Sequence, residues 1–82
     1  MDKTVPPDVQ EMAEFAVAEY NRIAGTNLVL IKVLAYVKRV VVFGTLYRLH
    51  MLTQDDKGIH NDQALTLKLK NGKKVLLSYK HN

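Results

Sequence analysis

The apolar residues of this chain change their period at Gly25, from the rhythm of a helix before it to the alternation of strands after it. Val9, Met12, Ala13, Ala16, Val17, Tyr20, Ile23 and Ala24 follow the i, i+3, i+4, i+7 spacing that lines one stripe of a helix. Asp8, Glu11, Glu14 and Arg22 fall on the opposite side. Asp8 with Glu11 three residues on reads as a capping-box-like start, and early acids suit the positive end of the helix dipole. Gly25 can take a left-handed conformation without a Cβ penalty, so the pattern predicts a helix over residues 8–24. Phe15 lies off the stripe and is expected at a partly covered edge.

Downstream, β-branched residues and period 2 predict strands over 28–39, 45–54, 63–70 and 74–80. In the first strand, Val29, Ile31, Val33, Ala35 and Val37 are expected to face the core and Lys32 and Lys38 to face water. Leu28, Leu30, Leu34 and Tyr36 share the outward parity and make a candidate self-association face. In the second, Tyr47, Leu49 and Met51 face one way, Arg48 and His50 the other. Asp55-Asp56-Lys57-Gly58 reads as a polar turn that opens a loose connection to about Asp62. Around Asn71-Gly72, a two-residue turn would oppose Lys70 to Lys73 and Leu65 to Ser78. A three-residue loop, Lys70-Asn71-Gly72, instead opposes Leu67 to Val75 and Leu65 to Leu77. A one-residue slip turns every side chain to the other face, so leucine burial predicts the odd loop. One helix followed by four strands implies an α+β fold, an antiparallel sheet gripping the helix.

Length and chemistry narrow the function. Eighty-two residues make one domain, 1–82, with a small core. No cysteine is present, which removes disulfides and thiolate chemistry and leaves the compartment open. The apolar stretches are short and interrupted by Lys32 and Lys38, so no membrane partner is expected. The net charge of +4 is too mild to imply nucleic acid, and no aromatic platforms interleave with the lysines. His50, His60 and His81 stand at no metal-ligand spacing, so neither metal nor cofactor is expected. Ser78 is the only serine and has no basic partner implied by spacing. No glycine-rich phosphate loop occurs, and neither catalysis nor a small-molecule substrate is expected. What remains is a binding surface. The apolar run Val40-Val41-Val42-Phe43, closed by Gly44, reads either as a buried strand or dimer contact or as an exposed apolar tip, and an exposed tip signals use by a partner.

Met12-Ala13-Glu14-Phe15-Ala16-Val17-Ala18-Glu19-Tyr20-Asn21 resembles the helix signature of the plant cystatins, and Gly44-Thr45-Leu46-Tyr47-Arg48-Leu49 resembles the stretch after that family's first inhibitory loop. The likeness runs from about Val9 to Tyr79. It implies a cystatin-like fold, and inhibition of a proteinase by an N-terminal arm and two hairpin loops. Carried onto this sequence, the arm is residues 1–7 with Val5, Pro6 and Pro7, expected to be mobile. The first loop is Val40, Val41, Val42, Phe43 and Gly44, and the second is Lys70, Asn71, Gly72, Lys73 and Lys74. Each departs from the family pattern. Val40 stands where the family has glutamine, the arm has no glycine, and no tryptophan occurs anywhere. Those are the contacts cystatins make with papain-like enzymes. The chain is similar in this respect to cystatin-derived inhibitors from squash that act on pepsin-like aspartic proteinases. The expected partner is therefore an aspartic proteinase, with a papain-like enzyme or a non-inhibitory scaffold as alternatives. The expected state is a monomer, with a domain-swapped dimer as the variant.

Overall fold

A computed structural model describes residues 5–82. Helix α1 spans Pro7–Ala24, and β1 (Val29–Val41), β2 (Gly44–Asp55), β3 (Gly58–Leu69) and β4 (Lys74–Lys80) follow it. The strands form one antiparallel sheet in chain order, with α1 packed across its inner face. This is the expected α+β, cystatin-like arrangement. Helix start and stop differ in how they are made. Pro6 is the N-cap, with no side-chain cap, and Pro7 occupies a first-turn position where its missing N–H costs nothing. The capping-box reading of Asp8 and Glu11 is thus overturned; both carboxylates turn to the sheet instead. At the other end Gly25 takes φ 70°, and its N–H donates to the Asn21 carbonyl. The Asn21 side chain then organises the link to β1. Its Nδ2 donates to the Leu28 carbonyl at 2.9 Å, and its Oδ1 accepts from Leu28 N at 2.9 Å and Thr26 Oγ1 at 2.8 Å.

Val9, Met12, Ala13, Ala16 and Val17 of the helix stripe are buried against Leu28, Tyr47, Leu49, Met51 and Ala64. The final turn projects past this contact and leaves Ile23 64% exposed, so the buried stripe is shorter than the periodic one. Tyr20 extends it by stacking on Tyr79 of β4, ring centroids 4.1 Å apart. Phe15 is half-buried against the core, as expected.

The facing of β1 departs from expectation at both ends, and of the residues expected inward only Val33 meets the core. Leu28 is buried, and Leu30 and Val33 pack on the core, whereas Val29, Ile31 and Val37 are exposed. Register shifts between Leu30 and Lys32 and between Val33 and Ala35 explain it, because each extra residue flips the strand's parity. The candidate self-association face is broken up with it: Leu30 points inward and only Leu34 and Tyr36 stay accessible.

No loose connection follows Asp55. Asp55 pairs with Gly58 around a two-residue turn, and β3 runs from Gly58. Gly58 takes φ 128°, and Asp55 Oδ1 accepts the Lys57 N–H at 2.9 Å. In the last hairpin Leu67 opposes Val75 and Lys68 opposes Lys74 across an odd loop, with Gly72 at φ 91°. This is the expected register. A register shift between Leu65 and Thr66 then sets Leu65 against Ser78 instead of Leu77. The buried parity of β3 is Asp62, Ala64 and Thr66, not the leucines, which lie half-buried on the outer face.

Candidate functional site

Hairpin geometry puts the first expected loop at a free tip. Val41 pairs with Gly44, so the turn proper is Val42-Phe43, and neither residue has a positive φ. Val40, Val42 and Phe43 are 79%, 80% and 70% exposed. Val41 is half-buried and Gly44 buried. Gly44 offers no contact of its own; it lets β3 come close. A Cβ there would lie 2.0 Å from the Lys68 carbonyl oxygen and 2.9 Å from Leu69 Cα. Gly44→Ala is expected to force these backbones apart at a cost of about 1–3 kcal/mol, lowering the thermal midpoint by roughly 5–20 °C. An unchanged midpoint in thermal unfolding would mean that β3 yields without strain.

The second loop is tied to the first. Lys70 N donates to the Phe43 carbonyl at 3.2 Å, so the apolar tip leans on the neighbouring turn. That turn is braced internally. Gly72 N donates to Leu69 O at 2.8 Å, Leu69 N to Lys73 O at 2.8 Å, and Lys73 N to Asn71 Oδ1 at 2.9 Å. Lys70, Asn71, Gly72 and Lys73 are exposed. Lys74 is committed elsewhere, its Nζ 2.9 Å from Glu11 Oε2.

Carboxylates at the helix start pin this end of the sheet. Lys38 and Tyr47 both donate to Asp8 Oδ2, the tyrosine at 2.9 Å. Lys68 and Lys74 hold the two oxygens of Glu11 at 3.0 and 2.9 Å. The Lys38 ammonium, outweighing the effect of burial, holds Asp8 below its usual carboxylate value. Lys74, then Lys68, do the same for Glu11. Burial, reinforced by Asp8, pushes the Tyr47 phenol up. These contacts bring the start of α1 to the end of the sheet that carries both turns.

The arm itself reads differently from expectation. Its first four residues lie outside the described residues. Val5 packs against the core, Pro6 caps the helix and Pro7 belongs to it. Among the described residues, the arm is therefore a docked entry to α1.

A pH dependence follows from the lowered carboxyls. A carboxyl whose folded pKa is depressed contributes stability above its unfolded value, lost as pH falls through the folded one. Wild type is expected to exceed Glu11→Gln in thermal midpoint by a constant margin from neutral pH down to the ordinary value of 4.5. The margin then shrinks and disappears as pH drops further. A margin that survives undiminished into strong acid would contradict the ion-pair reading.

Sequence spacing overlooked one cluster altogether. His60 and His81, far apart in the chain, approach to 4.6 Å between ring centroids at the opposite end of the sheet, beside Asp55 and the buried Asp62. Adjacency follows from the pairing of Gln63 with Lys80 at the end of β4.

A helix gripped by a four-stranded meander, with adjoining turns at one end, defines a cystatin-like fold. A model of the aspartic acid proteinase inhibitor family matches residues 2–82, and the chain belongs to that family. No curated protein matches it. Its partner class is accordingly an aspartic proteinase, in agreement with the altered cystatin contacts.

Proposed function

We propose that this chain inhibits a pepsin-like aspartic proteinase by occlusion, with Val42 and Phe43 entering the active-site cleft. The carrying observation is an apolar tip, 80% and 70% exposed at Val42 and Phe43, on a short turn braced by the Lys70–Phe43 hydrogen bond. Solvent-exposed apolar side chains on a braced turn suit a wedge, because little conformational entropy remains to be lost on docking. Lys70, Asn71, Gly72 and Lys73 flank the tip from the second turn, and the start of α1 flanks it from the other side.

Charge supports the same partner. Arg39, Lys70 and Lys73 make no ion pair among the described residues. A basic rim steers the wedge toward an enzyme that retains negative surface in acid. Without tryptophan, and with Gly72 and Lys73 in the second turn, the chain lacks the aromatic anchor by which cystatins hold papain-like enzymes.

The test is a titration of pepsin and of papain with rising concentrations of the chain. Loss of pepsin activity with papain unaffected is the expected result. Inhibition of papain alone, or of neither enzyme, rejects the proposal.

A further inference from the structure

The histidine cluster remote from the Val42–Phe43 tip gathers two imidazoles and a carboxylate that the inhibitory reading does not use. One ligand atom each from Asp55, His60 and His81 lie within 4.8 Å of one another. His60 Nδ1 is 3.1 Å from the Asn82 carbonyl oxygen, and its Nε2 is 2.8 Å from Asp55 Oδ1. Both neighbours are acceptors, yet a neutral imidazole carries one N–H. Either a second proton or a cation must therefore stand between Nε2 and the carboxylate. His81 is arranged in parallel. Its Nδ1 lies 2.9 Å from each oxygen of Asp62, a carboxylate with 0% exposure, which leaves Nε2 as its remaining donor atom.

An imidazole whose Nδ1–H is anchored on a buried carboxylate or a backbone carbonyl is the usual form of a metal-ligating histidine, because the outer bond fixes tautomer and ring direction. Two such histidines and one carboxylate form a donor set for zinc, with a fourth position left for water. We propose that Asp55, His60 and His81 form a binding site for a divalent transition metal of the zinc class. In tetrahedral zinc, with bonds of about 2.0–2.1 Å, ligand atoms stand roughly 3.3 Å apart. Rotation of the Asp55 carboxylate and the histidine rings, all part-exposed, supplies that closure. The bound ion joins the β2–β3 turn to the segment beyond β4. Hard cations such as magnesium, which demand octahedral oxygen, fit this set poorly. The site stands apart from the tip by the length of β2, Gly44–Asp55, so it does not depend on the proposed inhibition.

Zinc chloride titrated into the tag-free chain near neutral pH, followed by calorimetry, tests it. One zinc per chain is expected, with the thermal midpoint rising by about 10–20 °C at roughly a hundredfold excess over the dissociation constant. His60→Gln and His81→Gln should each weaken binding at least tenfold, while His50→Gln leaves it unchanged. Circular dichroism without metal checks that the variants fold; if His81→Gln does not, Asp55→Asn takes its place. Absence of binding at millimolar zinc overturns the proposal. Equal loss in His50→Gln, or equal response to magnesium chloride, overturns it as well.

Discussion

Phe43→Asp is expected to weaken inhibition of the target aspartic proteinase at least tenfold while leaving the fold and its thermal midpoint unchanged. Phe43 is 70% exposed and reaches no core residue, so the unbound protein loses little when the ring goes. Its backbone carbonyl, which accepts from Lys70 N, is untouched by the change. The complex loses far more. An aromatic anchor removed from an interface centre costs about 2–4 kcal/mol, and a carboxylate placed in that contact adds a desolvation cost. Acid reduces the second term, since the new carboxyl is partly neutralised where pepsin-like enzymes work. Phe43→Ala therefore isolates the first term and should give the smaller loss of the two. Inhibition constants measured against pepsin decide the matter. If Phe43→Asp inhibits as well as wild type, the first turn has no part in the mechanism.

Sequence pattern carried the scaffold further than it carried the faces. The stripe Val9–Val17 named the buried side of α1 because helical periodicity survives small errors of angle. Gly44 marked the hairpin tip for a physical reason: β3 approaches too closely for any Cβ. Period 2 is less forgiving. Two register shifts change the parity of β1 partway along it, so that Leu30 and Val33 both meet the core, and nothing in an alternating run of Val, Leu and Ile announces an inserted residue. The stretch from His60 to Asp62 looked like a loop because it is polar, yet it is strand, and its Asp62 is buried. Asp8 and Glu11 looked like solvated helix acids; partners thirty or more residues away, Lys38, Tyr47, Lys68 and Lys74, decide otherwise. Of the candidate site, the Val42-Phe43 tip and the Asn71-Gly72 turn were legible from local chemistry. The bond that joins them, Lys70 to Phe43, was not, because it depends on tertiary register.

Asp62→Ala should be the most destabilising single change in the described chain outside the tip's reach, at about 3–5 kcal/mol. The carboxylate is fully buried and accepts from Thr53 Oγ1 and Tyr79 Oη at 2.8 Å, His81 Nδ1 at 2.9 Å and Asn82 N at 3.0 Å. Burial pushes its pKa up, but these donors together outweigh it and hold the group below the usual value, so the buried species is the anion. Truncation strands the donors where water cannot reach them all, and a donor left unsatisfied costs its full desolvation. It also frees Tyr79, whose ring stacks on Tyr20 and fixes the second half of α1 to β4. In a chain of this size each kcal/mol moves the midpoint by about 4–8 °C, so a fall of roughly 15–30 °C is expected. Asp62→Asn keeps the shape and one good acceptor and should lose about half as much. Thermal unfolding with a chelator present reads the effect free of any metal. Pepsin inhibition, measured well below the lowered midpoint, should be retained, because Asp62 pairs with Met51 in the half of β3 remote from the tip. A midpoint within about 5 °C of wild type would show that water or rearranged partners satisfy the donors, and that the buried anion is not what closes this end of the sheet.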